Sequence, residues 1–264
     1  MWNRAFLPGT GRGTARRSRV VEGAPSVSAS RFHLPVPGKI FILALLLTAC
    51  RAEPEPRAFP AAGRDVAPIV GESFSTEDAR DRVGEAEEVM RLAEIQPGMS
   101  VADIGAGEGY YTVRLSPLVG RRGRVLAEDI VADTRDRLAQ RVQREGLDNV
   151  AVRLGKPADP MLPQASFDRI LLVHMYHEVT EPYEFLWNLR EGLKPDGLVV
   201  VVDSDRPVKR HGMPPRQLLC EFAALGMAPV RTTRLSHADA YFATFRISRP
   251  RPRPSAIRAC SSKR

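Results

Sequence analysis

The chain is poor in cysteine, in lysine relative to arginine, and in long apolar runs. Its three cysteines, Cys50, Cys220 and Cys260, have neither the paired spacing of a metal site nor the density of a disulfide framework, so their meaning depends on the compartment. The apolar run Ile40–Leu47 is too short to span a bilayer, which takes about 20 residues. Positive charge is also missing from the body of the chain. Of a formal net charge of +8, residues 1–50 carry +6 and residues 246–264 carry +7, so the 195 residues between them sum to −5. An acidic body with basic ends excludes an extended phosphate-binding face, and nucleic acid is not expected as a partner.

What is present is enough for one large domain with tails. Hydrophobic residues make up 43% of 264, which supports a substantial core. The organising stretch is Ser100–Tyr110, in which Val101–Ile104 reads as a buried strand. It is followed by Gly105, Gly107 and Gly109 at alternate positions, ahead of a helix. Such a turn lets the backbone bend sharply and approach a ligand. The spacing is Gly-x-Gly-x-Gly and not the dinucleotide Gly-x-Gly-x-x-Gly. Asp103 and Glu108 beside it would repel a pyrophosphate but suit a ligand bearing ammonium, sulfonium and ribose hydroxyl groups.

The motif resembles the Asp-x-Gly-x-Gly-x-Gly turn of the class I S-adenosylmethionine (SAM) dependent methyltransferases. Further elements extend the resemblance over about residues 75–247. Arg124–Ile130 is a second strand ending in acids about 20 residues beyond the glycines. There an acidic side chain can accept bonds from ribose hydroxyls, with Asp129 the first choice and Glu128 its rival; an N-cap for the next helix is the other reading of Asp129. Phe167-Asp-Arg-Ile-Leu-Leu-Val173 is a central strand whose exit carries His174, Tyr176, His177 and Glu178. Leu193-Lys-Pro-Asp-Gly197 is similar to the family's Leu-Lys-Pro-Gly-Gly turn before a fifth strand, Leu198–Asp203. The resemblance implies an α/β, doubly wound (Rossmann-like) sheet of seven mostly parallel strands in the order 3-2-1-4-5-7-6, with the last strand antiparallel, in a single domain. It implies SAM as cofactor, held by Asp103, Gly105, Gly107, Gly109, Tyr110, Asp129 and Ile130, with His174 at the edge.

The chain departs from the family after the third strand, Val150–Leu154. Many members have Gly-Asp there, the Asp reaching the adenine amino group, whereas this chain has Gly155-Lys156. Lysine is only a donor. Asp159 in the following loop, or backbone groups, would then meet adenine.

Because SAM carries its own leaving group, the protein's task is alignment, with a base needed only if the acceptor keeps its proton until attack. His177 leads as base or orienting group, followed by His174, with Glu178 fixing an imidazole tautomer and Tyr176 walling the methyl site. Structural hydrogen bonds at a strand end are the plainer reading of each histidine. A metal site from His174, His177, Glu178 and either His211 or Asp203 was weighed against this. His-x-x-His-Glu is not the helical His-Glu-x-x-His pattern, and no metal is expected. A small-molecule methyl acceptor is the expected partner; the atom methylated and the oligomeric state are not legible.

The flanks carry a second expectation. Residues 1–38 read as a disordered leader, longer than an ordinary signal n-region, with Val36 as an alternative start. Residues 39–50 resemble a signal peptide whose end, Leu47-Thr48-Ala49-Cys50, is similar to a bacterial lipobox, making Cys50 a lipidation site and membrane tether. Residues 51–73 read as a linker, 74–247 as the domain and 248–264 as a basic Pro/Arg-rich tail. A lipidated chain would face the periplasm, and an unused signal would leave it in the cytoplasm. Export also raises the alternative of a non-catalytic envelope protein that keeps the fold as a binding module.

Overall fold

Three largely apolar segments build the centre of a parallel sheet, because central parallel strands are covered on both faces. In the computed structural model these are β1 (Ser100–Ile104), β4 (Phe167–Val173) and β5 (Leu193–Asp203). Val199–Val202 of β5 are all fully buried. Val199 and Val201 join the core on one side of the sheet, while Val200 and Val202 join the core on the other, as the alternation of a strand requires. Residues 58–69, 76–236 and 239–261 are described, all within the unit Pro54–Arg264. The leader 1–38, the signal-like segment 39–50 with Cys50, and the start of the expected linker lie outside the described residues.

The remaining strands are β2 (Arg124–Asp129), β3 (Val150–Leu154), β6 (Met227–Arg234) and β7 (Tyr241–Ile247). The seven-stranded order is β3-β2-β1-β4-β5-β7-β6, with β7 antiparallel to both β5 and β6 and the other pairs parallel. This is the expected fold class. Helices α2 (Glu85–Leu92) and α3 (Tyr110–Val119) contribute to one core, α4 (Ala132–Arg144) connects β2 to β3, and α5 (Pro182–Leu189) and α6 (Pro215–Ala224) contribute to the other core. Chain reversal between β1 and β4 leaves a crevice at the carboxyl ends of these strands, where open α/β sheets bind ligands.

Two segments differ from the sequence reading, and a third feature lies before β1. There the helices α1 (Glu77–Arg82) and α2 are broken at Gly84, which adopts φ 64° in the left-handed region. The break turns Glu85 into the crevice. The expected linker holds a packed strap. The Arg64 Nε donates to Glu221 Oε1 at 2.9 Å, and its terminal nitrogens donate to the carbonyls of Tyr176 and His177. The basic tail is likewise held. Trp187 Nε1 donates to the Pro252 carbonyl, Arg251 lies over the Trp187 ring, Ile257 is buried, and Cys260 forms a disulfide with Cys220 on α6. Charge concealed these contacts in the sequence, because Arg64 and Arg251 read as solvated ends while their partners, Glu221, Trp187 and backbone carbonyls, lie far away along the chain.

Candidate active site

A cavity of about 770 Å³ opens at the carboxyl ends of β1, β2, β4 and β5. One end is built by the glycine turn. Gly107 has φ 58°, and a Cβ added to it would meet nothing within 4 Å, so the turn presents bare backbone to open space. Its N–H donates to Asp129 Oδ2 at 3.0 Å, and the Val131 N–H donates to Oδ1 at 2.8 Å. These two bonds hold the Asp129 carboxylate in the cavity wall. A carboxylate has about four lone-pair positions, so Asp129 keeps capacity for ligand hydroxyls. Ile130 follows it in the wall, 36% exposed.

Glu128, the rival acid, also lines the cavity. It is 1% exposed, and its Oε1 accepts no hydrogen bond among the described residues. Burial first, and then the neighbouring Asp129 charge, pushes its carboxyl up to about 8. Its carboxylate explains Gly155, since a Cβ there would lie 1.3 Å from Glu128 Oε1. Thus a lone buried acceptor, a carboxylate and an apolar shelf meet beside a bare glycine turn. That acceptor set and shelf fit a nucleoside joined to an amino acid through sulfur, such as SAM.

Other residues expected at the cofactor have different places. Asp103 is buried and does not line the cavity; its Oδ2 accepts from Thr112 Oγ1 at 2.6 Å, tying β1 to α3. Burial above all raises its carboxyl to about 6. Gly109 does not reach the cavity either, and is needed because a Cβ would come within 2.5 Å of Leu138. Glu108 stands at the rim, paired with Arg137 at 3.1 Å. The carboxylate that disfavours phosphate at the wall is therefore Asp129, with the protonated Glu128 beside it. Asp159 closes its own turn by accepting from the Met161 N–H, and Lys156, not Asp159, lines the cavity.

The helix pair α1 and α2 latches onto this end. Tyr110 lines the cavity, stacks under the guanidinium of Arg80 at 3.9 Å, and donates to Asp81. Burial and then that bond push its hydroxyl up to about 12. Glu85 accepts from Arg80 and Tyr111 and lies 3.1 Å from His174 Nε2. Burial would raise its carboxyl, but His174 and Arg80 outweigh it and hold it at about 2. His174 itself sits at φ 52°. It therefore belongs to the latch over the cofactor end. Arg80 and Glu85 were not singled out in the sequence; the signal available was a charged pair bracketing Gly84.

The opposite end of the cavity holds His177, Glu178 and His211. His177 is 3% exposed, and its Nδ1 lies 2.9 Å from Oδ2 and 3.1 Å from Oδ1 of the buried Asp203. Asp203 thus fixes the imidazole, not Glu178, whose Oε1 is 3.9 Å from Nε2. Tyr176 does not wall the cavity. A 3₁₀ turn over Tyr176–Glu178 directs it into the core, where its hydroxyl donates to Glu221 Oε2 at 2.7 Å. Burial, with the Glu221 charge second, drives that hydroxyl well above its ordinary range.

Residues 102–201, from β1 into β5, match the protein family described as "Methyltransferase domain". The chain is 32% identical over 116 residues to a protein-L-isoaspartate O-methyltransferase of Methanopyrus kandleri, covering 44% of this chain and 49% of that protein. It is 27% identical over 120 residues to a demethylmenaquinone methyltransferase of Geobacillus stearothermophilus, covering 46% and 51%. The chain thus spans about half the length of these curated relatives. A SAM-dependent methyltransferase from Aquifex aeolicus shares the fold, with a TM-score of 0.60 at 24% identity, over 64% of this chain and 93% of that one.

Proposed function

We propose that the chain transfers a methyl group from SAM to a small-molecule acceptor. The observation that carries this reading is one cavity with two chemically distinct ends. The bare Gly107 turn with Asp129 and Glu128 forms one end, and the Asp203-held His177 the other. SAM, when bound, supplies a methyl group on an already activated sulfonium. Asp129 and Glu128 accept hydrogen bonds from its polar groups, Ile130 offers an apolar shelf, and α1–α2 excludes water from above the turn. His177, with its Nδ1 committed to Asp203, leaves Nε2 to face the acceptor. A volume of about 770 Å³ suits a cofactor and a small acceptor together. Calorimetry with S-adenosylhomocysteine, followed by methyl transfer to a panel of oxygen, nitrogen and sulfur acceptors, tests the reading. Absence of binding at millimolar ligand would remove it.

Localisation in the cell envelope through a lipidated Cys50 belongs to the same proposal. It draws on Leu47–Cys50 and on the Cys220–Cys260 disulfide, since disulfides persist in oxidising compartments. Mass spectrometry of the native amino terminus should find a lipidated cysteine; an unprocessed Met1 would contradict it.

A further inference from the structure

We infer that the acceptor end of the cavity is a divalent-metal site of the zinc type, formed by His177, Glu178 and His211. One ligand atom from each of the three lies within 4.8 Å of the others. Glu178 Oε1 is 3.9 Å from His177 Nε2 and 4.0 Å from His211 Nδ1. Zinc bonds of about 2.0–2.2 Å in a tetrahedron set ligand atoms about 3.3–3.5 Å apart, so each histidine nitrogen needs to approach Glu178 by roughly half an ångström, and the two histidine nitrogens, now within 4.8 Å, need to approach each other by up to roughly 1.3–1.5 Å. Two histidines and one glutamate are also a donor set that zinc uses where a fourth position stays open to solvent or substrate.

The surroundings are those of a held ligand set. Asp203, fully buried, engages His177 Nδ1 with both oxygens within 3.1 Å. That places the imidazole proton on Nδ1 and leaves the Nε2 lone pair for a cation, the carboxylate–histidine arrangement that orients metal-bound imidazoles. His177 is braced from behind by Arg64, which donates to its carbonyl and is paired with Glu221. His211 is carried at φ 54°, a conformation a non-glycine residue adopts only when its surroundings impose it. Arg206 Nε donates to the His211 carbonyl at 3.1 Å, and the Met213 N–H donates to the Ser204 carbonyl, so the loop is closed on both sides. The two rings meet edge to face with centroids 5.6 Å apart. His174, which the sequence groups with them, stays with Glu85.

The consequence for substrate class rests on the methyl-transfer reading. An open metal position at this end selects an acceptor with an oxygen or sulfur atom able to ligate the cation. Metal binding itself stands without that reading.

The test titrates the full chain, stripped with chelator, with zinc chloride, and separately with S-adenosylhomocysteine. One zinc per chain is expected. Its affinity should fall at least about 10-fold in His211→Ala and in Glu178→Gln, and about 10- to 100-fold in Asp203→Asn, the range for lost partners of metal ligands. S-adenosylhomocysteine affinity should stay unchanged in His211→Ala, which shows that this loop variant is folded. Zinc binding equal in the wild type and in a His177→Ala/His211→Ala double variant would overturn the site. Zinc binding without S-adenosylhomocysteine binding would uphold the site and remove the methyl-transfer reading.

Discussion

The two ends of the cavity are built in opposite ways. At the cofactor end the wall itself is local: the turn Gly105–Gly109, its helix and the acids closing β2 lie within 30 consecutive residues, Asp129 holds Gly107 directly, and only the covering latch reaches further, from Glu85 to His174. At the acceptor end His177 depends on Asp203 from the next strand, His211 from the loop beyond it, and Arg64 from more than 100 residues upstream. Local construction makes the wall of the first end tolerant of what happens elsewhere in the fold. Long-range construction makes the second depend on the strap, on α6 and on the tail.

The comparison breaks most sharply at Gly107. Gly107→Leu puts a side chain into space that is now open and strains a left-handed backbone. It should abolish S-adenosylhomocysteine binding by calorimetry while the melting temperature falls only modestly. Next in size is the disulfide. Cys220 and Cys260 close a loop 40 residues apart in sequence, for which chain entropy gives about 4 kcal/mol. Cys220→Ser should lower the denaturant midpoint accordingly. Hydrogen exchange should then rise around α6, Tyr176 and His177 and much less around the glycine turn; a uniform rise would mean that the two ends are not independent.

His177→Ala should reduce methyl transfer about 100-fold, the lower range for loss of an acid–base or orienting group. Its S-adenosylhomocysteine affinity should stay within about twofold of wild type. Unchanged transfer would take His177 out of the reaction. A pH-dependent test concerns Glu128. Its folded carboxyl stands at about 8 against an ordinary 4.5, so between those values the folded state holds a proton the unfolded state has lost. That contribution makes stability fall as pH rises through this window. Glu128→Gln should flatten the fall and raise the melting temperature at pH 8. Glu85, held at about 2, acts on the acid side: its stabilisation is present above about 4.5 and is lost as pH falls towards 2.

The fold and the glycine turn were legible because the information is periodic or contiguous. Four valines in a row announce a doubly covered strand, and alternate glycines announce a turn that approaches a ligand. Individual roles were less legible wherever a side chain's direction matters. Tyr176 and His177 are adjacent, yet a short 3₁₀ turn sends one into the core and the other to the cavity. Asp103 carries the family motif but points to Thr112. Gly155 reads as part of a motif, whereas its physical reason is the Glu128 carboxylate above it. Asp203 was visible as an acid ending a buried strand, but its pairing with His177 requires β4 and β5 to be neighbours. The strap and tail were hidden because charge and proline made them resemble free ends.

The measurement that tests the central claim most directly is calorimetric titration of the full chain with S-adenosylhomocysteine. Binding of one molecule per chain, lost in Gly107→Leu and kept in His177→Ala, is the expected result. No binding at millimolar ligand, or binding unaffected by Gly107→Leu, would contradict the placement of the cofactor against the glycine turn.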